Sequence, residues 1–262
     1  MTSEDTPLIP DQRRELMLRL LGRQPVLSVA QLTEALGVSH MTVRRDIAAL
    51  EREGRAFSVP GGVRIASALR DEPSYTDKSL VEQPEKQAMA RRAAELLRDD
   101  MTLYLDAGTT LLALVPHLLA RSGLTVVTND FTAVDLLAGA QHVDVIHVGG
   151  RLDHENRSSV GSLAAATLRQ VNVDMAFIST SSWDLHKGTT TPSASKVEVK
   201  QAALEAATNA VLVAGSSKYG RIAMYKVASL SRFDLVITDD GLSEAAADGI
   251  RDNDVELALV HP

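Results

Sequence analysis

The sequence predicts an α/β protein with an N-terminal winged helix–turn–helix and a C-terminal, mainly parallel α/β domain. Helical caps, a tight turn and a hairpin pattern follow one another between residues 28 and 65. From residue 85 onward, short apolar strands alternate with helices, which is typical of a parallel sheet covered by helices. The 262 residues suffice for two domains. We therefore expect a DNA-binding domain at 10–65, a linker at 66–84, and an effector-binding and oligomerisation domain at 85–262.

The charge is unevenly distributed along the chain. Residues 10–65 carry nine arginines, no lysine and six acidic residues, whereas the whole chain has a net charge of −7. A basic head on an acidic body is typical of a protein in which only the head contacts nucleic acid. The chain contains no cysteine, which excludes disulfides and thiol chemistry. No secretion signal or membrane-length apolar run is recognisable, so we expect a cytoplasmic protein without membrane contact.

The first 54 residues predict three helices. Residues 11–21 form the first, and Ser28 caps the second in a capping-box pattern with Gln31. Gly37 suits the left-handed end of that helix, and Ser39 caps the third. Such closely spaced helices joined by a tight turn predict a helix–turn–helix.

The third helix has an apolar side and a basic side. Val43, Ile47 and Leu50 repeat at i, i+4 and i+7, while Arg45 and Arg52 point nearly opposite. A helix in the DNA major groove needs this arrangement, because its N-terminal side chains reach base edges while its apolar side anchors it. A helix–turn–helix used only for packing is the alternative.

A hairpin predicts the wing. Two alternating segments, 57–59 and 63–65, flank the turn Pro60-Gly61-Gly62. Arg55 and Arg64 flank the hairpin, where a wing would meet phosphates. The expected DNA contacts are Ser28, Ser39, His40, Met41, Thr42, Arg44, Arg45, Arg55, Gly61 and Arg64.

The linker and the second domain follow. Residues 66–84 lack sustained periodicity and carry Pro73 and Pro84, and we place the boundary near Arg70. The predicted helices of the second domain are 85–97, 110–119, 132–138, 162–168 and 196–208. The predicted strands are 102–105, 124–128, 143–148, 175–178, 211–214, 235–238 and 255–260.

Polar loops follow the predicted strands at the edge where parallel sheets bind ligands. Gly108 lets the backbone approach a ligand closely, and the two threonines after it offer hydroxyls at a helix start, which suits phosphate. Lys218 can supply a countercharge. Ordinary capping is the alternative interpretation. The expected effector residues are Asp106, Gly108, Thr109, Thr110, Thr128, Asn129, Gly149, Gly150, Ser217 and Lys218.

The string LSVAQLTEALGVSHMTVRRDIAALEREG, followed by VPGGV, resembles the DNA-binding domain of the DeoR family of bacterial sugar-metabolism repressors. The resemblance extends to about Leu242. It implies a sensor domain similar to ribose-5-phosphate isomerase that binds a phosphorylated sugar. DAGTT, TN and SSKYG match the family's loops, and TTPS followed by EVK adds Lys200. The family usually has Asp where this chain has Gly215, which puts the ligand's identity in question.

Catalysis is not indicated. An aldose–ketose isomerase needs a carboxylate beside the substrate carbonyl, and the segment ISTSS offers no acid before Asp184. Asp174 precedes its strand and is expected to cap or position it. Scattered histidines and a lone Gly149-Gly150 predict neither a metal site nor a nucleotide cofactor. Trp183 is expected to provide a stacking face or to lie in a surface loop.

The resemblance implies a transcriptional regulator, most often a repressor, whose operator affinity is shifted by the effector. One small head makes few DNA contacts, so we expect a symmetric dimer or tetramer on repeated half-sites. Two alternatives remain open. One is a sugar-phosphate isomerase-like enzyme with an appended DNA-binding head, and the other is an architectural DNA binder whose second domain only oligomerises.

Overall fold

A computed structural model describes residues 8–59, 61–69 and 72–262 of the chain. The predicted turn residue Pro60 and the predicted boundary at Arg70 lie outside these ranges. Across the described residues, none of the helices has the length and apolar character needed to cross a membrane. We call residues 8–65 the head and residues 72–262 the body.

The head is a winged helix–turn–helix, as predicted. Its three strands form an antiparallel sheet in the order β1-β3-β2. Ser28 Oγ accepts a hydrogen bond from Gln31 N at 3.1 Å, and Gln31 Oε1 accepts one from Ser28 N at 2.8 Å, so the capping box is confirmed. Gly37 has the predicted left-handed φ of 63°. The elements are α1 (Pro10–Arg23), β1 (Val26–Ser28), α2 (Val29–Leu36), α3 (His40–Arg52), β2 (Ala56–Val59) and β3 (Gly62–Ile65).

A buried ion pair lies within the head. Val43, Ile47 and Leu50 face an apolar core, as their spacing predicts. Arg13 is also buried, and its guanidinium donates to both carboxylate oxygens of Asp46. The pair joins α1 to the inner side of α3, and breaking it would leave a buried charge without a partner.

The predicted linker is structured where it is described. It contains β4 (Ser67–Leu69), α4 (Tyr75–Leu80) and the start of α5 (Gln83–Ala94). Strand β4 pairs in parallel with β14 (Arg221–Ala223) of the body. Ser74 caps α4 by accepting from Asp77 N at 3.2 Å. Strand β4 pairs with a strand far away in the sequence, and α4 has only six residues. Neither element therefore gives the sequence a recognisable periodicity.

The body is built on a parallel seven-stranded sheet, as predicted. Its first strand, β5, lies inside the sheet, and the chain adds β6 and β7 on one side before crossing to β10 on the other. The switch point therefore lies between β5 and β10, where a ligand is expected at the carboxyl ends. In spatial order the strands are β17 (Leu257–Val260), β16 (Leu235–Asp239), β13 (Ala207–Val213), β10 (Val173–Ile178), β5 (Thr102–Leu105), β6 (Thr125–Thr128) and β7 (Asp144–His147).

Helices cover both faces of this sheet and bury two apolar layers. Alternate strand residues serve opposite layers: Tyr104 packs on one side, and Leu103 and Leu105 pack on the other. One layer holds α5 with α6 (Thr109–Leu112), α7 (Val115–Leu118) and α8 (Phe131–Leu137). The other holds α9 (Ser162–Leu168), α10 (Ala194–Ala206) and α11 (Glu244–Arg251).

Several elements differ from the sequence predictions. The helix expected at 110–119 is two single turns, because Pro116 lacks the N–H that would bond back to Leu112. Helix α11 was not predicted, although Ser243 caps it by accepting from Ala246 N at 3.2 Å. The other predicted helices and strands are present, with ends shifted by up to four residues.

Five short strands of the body were not predicted either. They have three or four residues each and are rich in serine, threonine and charged residues, so they lack an alternating apolar pattern. They are β8 (Arg151–Asp153), β9 (Ser158–Val160), β11 (Ser182–Asp184), β12 (Gly188–Thr191) and β15 (Tyr225–Ala228). Strand β14 is a sixth strand of the body that was not predicted.

Candidate nucleic-acid interface and anion site

The N-terminal half of α3 presents an exposed basic surface. Ser39 caps the helix by accepting from Thr42 N at 3.2 Å. Arg44 and Arg45 are exposed, and Met41 is 76% exposed despite its apolar side chain. Because Val43 and Ile47 anchor the opposite side, these side chains, with exposed His40, project together into solvent. The structure thus groups the predicted base-reading residues on one face of α3.

The predicted wing residues separate into two groups. Arg55 is exposed and pairs with Glu15 at 2.8 Å, and Gly61 is exposed at the turn with a φ of 77°. Arg64 instead faces the body, where it donates to the backbone carbonyls of Ser217, at 3.2 Å, and Tyr219. In this arrangement Arg64 does not share a surface with the exposed arginines of α3.

The loop after β5, residues 106–110, is supported by hydrogen bonds to its backbone, and we call it the cradle. Gly108 has a φ of 145°, and a Cβ there would lie 3.1 Å from Ser179 Oγ, so only glycine fits well. Ala107 N donates to Asn129 Oδ1 and Gly108 N donates to Asp130 Oδ2, both at 3.0 Å. Two side chains from the end of β6 therefore fix the backbone of the loop.

Asp106 is committed to holding other groups in place. Its carboxylate is buried and accepts from Ser179 N at 2.9 Å, from Ser179 Oγ at 3.0 Å and from Lys200 Nζ. Lys200 also donates to the Ser179 carbonyl at 2.8 Å. The ends of β5 and β10 meet here, as the switch-point rule predicts, and Asp106 positions Lys200 beside the cradle.

Four lysines surround the cradle and make it electropositive: Lys78, Lys196, Lys200 and Lys218. Lys78 and Lys196 each lie 2.6 Å from a carboxylate oxygen of Glu72, and Lys196 lies 3.3 Å from Asp153. Burial would raise the pKa of Glu72, but the two lysines outweigh it and lower that pKa to about 2. Glu72 therefore carries a full negative charge among the lysines.

Lys218 differs from the other three lysines. Its ammonium donates to the Thr180 carbonyl at 3.0 Å, and no carboxylate of the described residues lies within ion-pair distance. Burial lowers the pKa of Lys218 to about 8. A cation held in this way is ready to receive an anion, because an anion would replace the solvation it has lost.

A cavity of about 290 Å³ opens above the lysines. We call it the anion cavity, and its walls include Lys78, Lys86, Thr109, Ser217 and Lys218. A narrower pocket of about 20 Å³ continues down to Gly108, Thr110 and Lys200. The whole space suits a ligand of a few carbons with one strongly charged end.

Other predicted effector residues lie away from the cavity walls. Thr128 is buried, and its hydroxyl donates to the Leu105 carbonyl at 2.7 Å. Asn129 supports the cradle from beneath. Gly149 and Gly150 follow β7, and a Cβ on Gly150 would lie 3.0 Å from Ala164 Cβ, so this glycine allows close packing.

Gly215, where the family that the sequence resembles usually has Asp, lies among acidic groups. A Cβ there would be 3.5 Å from both Asp239 Oδ1 and Glu82 Oε2. A carboxylate at this position would therefore add a third negative charge beside the two already present.

Sequence reasoning missed Glu72, Lys78 and Lys196. The first two lie in the segment interpreted as a linker, and its lack of periodicity gives no sign that they reach the cradle. Lys196 had a readable signal, since it precedes Lys200 by four residues and shares its helix face. Trp183 was expected to provide a stacking face or to lie in a surface loop. It is instead fully buried.

Comparison with known families gives two matches. The sequence model described as "DeoR-like helix-turn-helix domain" matches residues 13–68, and that described as "DeoR C terminal sensor domain" matches residues 81–240. Together they span the head and most of the body.

Several relatives align over nearly their whole length. An uncharacterised HTH-type transcriptional regulator of Haemophilus influenzae is 46% identical, over 97% of this chain and 98% of its own. A putative aga operon transcriptional repressor of Escherichia coli O157:H7 is 30% identical, over 95% and 93%. The HTH-type transcriptional repressor GlcR of Bacillus subtilis is also 30% identical, over 95% and 96%.

Among solved structures, ribose 5-phosphate isomerase A of Methanocaldococcus jannaschii covers 51% of this chain and 53% of its own. The identity is 16% and the TM-score 0.38. A similarity this slight supports no conclusion about ligand or activity.

Proposed function

Because the chain belongs to the DeoR family of helix–turn–helix transcriptional regulators, we propose that it represses a carbohydrate-metabolism operon under the control of a phosphorylated sugar or related metabolite. One observation carries the proposal. The same chain presents an arginine-bearing helix to solvent and, in its body, a lysine-lined cavity in which Lys218 has no carboxylate partner among the described residues. The relatives' names, which include repressors of sugar operons, support it.

The DNA part of the proposal assigns base reading to the start of α3. Arg45 is exposed and free to make two hydrogen bonds to a guanine in the major groove. We expect Arg45→Ala to lose about 1–3 kcal/mol of discrimination between operator and random DNA. Operators selected from random-sequence DNA would be titrated with both proteins. Arg19→Ala, on the exposed side of α1, is the matched control, and equal discrimination by Arg45→Ala and wild type would refute the assignment.

The effector part assigns the charged end of the ligand to the cradle and its lysines. We expect Thr109→Val to keep operator binding and to lose the response to the effector. A thermal-shift screen of sugar phosphates, with the unphosphorylated sugars as controls, would identify the ligand, because a specific ligand raises the unfolding temperature. A Thr109→Val protein that responds normally would move the site elsewhere.

We propose binding without turnover. Asp106, the acidic residue of the cradle, is occupied by Ser179 and Lys200, so its carboxylate is not placed to move a substrate proton. Isomerisation of a sugar phosphate by the wild-type protein, lost in Thr109→Val, would instead establish the enzyme alternative.

The proposal also includes a homo-oligomer on repeated half-sites in the cytoplasm, since one head contacts too few base pairs for selective binding. Light scattering of the protein with and without operator DNA tests this, and a monomer under both conditions would contradict it.

A further inference from the structure

One loop of the body, residues 215–220, separates the anion cavity from the head, and we call it the bridging loop. It contains a single 3₁₀ turn at Ser216–Lys218. Within it Lys218 Nζ donates to the Thr180 carbonyl at 3.0 Å and faces the anion cavity. The carbonyls on either side of this lysine, those of Ser217 and Tyr219, accept from the wing residue Arg64. Within one turn, Lys218 thus faces the anion cavity while the residues on either side of it bind Arg64 of the head.

The wing also rests on the end of this loop. The Phe57 ring is 2% exposed and meets the Tyr219 ring edge-on, with centroids 5.3 Å apart and an angle of 88° between planes. Gly220 has a φ of 74°, and a Cβ there would overlap the Phe57 ring. The head can dock in this way only because residue 220 has no side chain.

Trp183 fixes both ends of the bridging loop. Its indole Nε1 donates to the Gly215 carbonyl at 3.2 Å, and its carbonyl accepts from Gly220 N at 2.8 Å. Its ring lies 4.9 Å from that of Tyr219. Both ends of the loop are therefore held by one buried aromatic side chain, and Trp183 is the sole tryptophan of the chain.

Contacts at the end of α3 complete the docking of the head. Ser243 Oγ donates to Glu51 Oε1 at 2.7 Å, and His186 Nε2 lies 2.9 Å from the Arg52 carbonyl. These contacts fix the direction of α3 relative to the body. The bridging loop adds to them through the wing, because Arg64 and Phe57 contact its backbone and the Tyr219 ring.

We propose that the bridging loop couples the effector site to the DNA-reading head, with anion binding at Lys218 and docking of Arg64 and Phe57 thermodynamically linked. The turn supplies the mechanism, because Lys218 N bonds to the Gly215 carbonyl at 3.1 Å and Tyr219 N to that of Ser216 at 2.9 Å. A displacement of the lysine therefore rotates the carbonyls that hold Arg64. The inference rests on the proposed function and specifies how its sensor site controls the head.

Coupling is reciprocal, so a change in the head must alter anion affinity in the body. The test titrates inorganic phosphate into the full-length protein by calorimetry and follows Trp183 emission in parallel. Arg64→Met removes the hydrogen bonds to the loop and is expected to change phosphate affinity at least threefold. Arg55→Met is the matched control, because it removes the same charge from the wing at a residue whose ion pairs, among the described residues, are with Glu15 and Glu53.

A second variant separates coupling from simple loss of charge. Gly220→Ala keeps every charge and displaces the Phe57 ring, and it too is expected to change phosphate affinity at least threefold. Phosphate affinity equal to wild type in both variants overturns the inference and leaves the proposed function intact. A change in Arg64→Met alone also overturns it, since the effect would then be electrostatic. A wild-type protein that binds neither phosphate nor any sugar phosphate overturns the proposed function as well.

Discussion

Replacing Lys218 with methionine should make the protein more stable and less responsive to its effector. Lys218 is held in the wall of the anion cavity without a carboxylate partner among the described residues. Replacing a residue that only supports the fold normally lowers stability, so a gain in stability together with a loss of effector response is not expected of such a residue. Opposite effects on stability and binding are therefore diagnostic of a site whose charge serves a ligand.

The stability change follows from the pKa of Lys218, which burial lowers from 10.5 to about 8. A lowering of this size corresponds to a ceiling of about 3 kcal/mol, and the partial exposure of the side chain reduces the expected gain to about 2 kcal/mol. The penalty applies in full below pH 8, where the lysine is charged in both folded and unfolded protein. It fades as the pH rises from 8 to 10.5, because only the unfolded chain then remains protonated.

The binding change follows from the loss of one charge-assisted hydrogen bond, which contributes about 1.5–3 kcal/mol. Affinity for the sugar phosphate found by thermal shift should therefore fall roughly tenfold to a hundredfold. Urea denaturation at pH 7 gives the stability, and calorimetry gives the affinity. Lys226→Met, an exposed lysine outside the cavity, is the control. A less stable Lys218→Met protein, or one with unchanged affinity, would refute this reasoning.

Three further predictions follow from buried charges. Asp46→Ala should cost the head about 3–5 kcal/mol in a urea titration, because its arginine partner stays buried alone, and a loss below 1 kcal/mol would contradict this. Burial would raise the pKa of Glu72, but Lys196 and Lys78 lower it to about 2, so the stability it contributes is present above pH 4.5 and is lost as the pH falls towards 2. Glu72→Gln should flatten the acid limb of the stability profile, and an unchanged limb would argue against the ion pairs. Sulfate, which keeps its charge over this range, should bind more weakly above pH 8 as Lys218 deprotonates, and constant affinity up to pH 10 would exclude this lysine from the site.

The parts of the fold that depend on neighbours in sequence could be predicted. Ser28 and Gln31, which are three residues apart, form a capping box. Val43, Ile47 and Leu50 recur at helical spacing and form one apolar stripe. Both features depend only on residues close together in the sequence. The cradle could be predicted for a different reason. The rule for parallel sheets brings the ends of consecutive strands to one edge, and it placed Asp106 near the loop that follows β10 without any contact being known.

The remainder depends on contacts across the chain. Glu72 and Lys78 reach the anion cavity only because β4 pairs with β14 and α4 folds over the cradle, and no periodicity encodes that pairing. From its neighbours in sequence, Arg64 is predicted to be a wing arginine that contacts DNA. Its hydrogen bonds to the Ser217 and Tyr219 carbonyls depend on where the bridging loop lies in the folded body. Trp183 was misplaced because a tryptophan among polar residues resembles an exposed loop, whereas β11 packs it beneath the wing.

The most direct test of the account is operator affinity as a function of effector concentration. Fluorescence anisotropy of a labelled, selected operator would be measured for wild type and Lys218→Met across the range in which the sugar phosphate saturates the body. The account predicts that saturation changes wild-type operator affinity at least tenfold and leaves that of Lys218→Met nearly constant. A ligand that saturates the wild-type cavity without changing operator affinity would contradict the account.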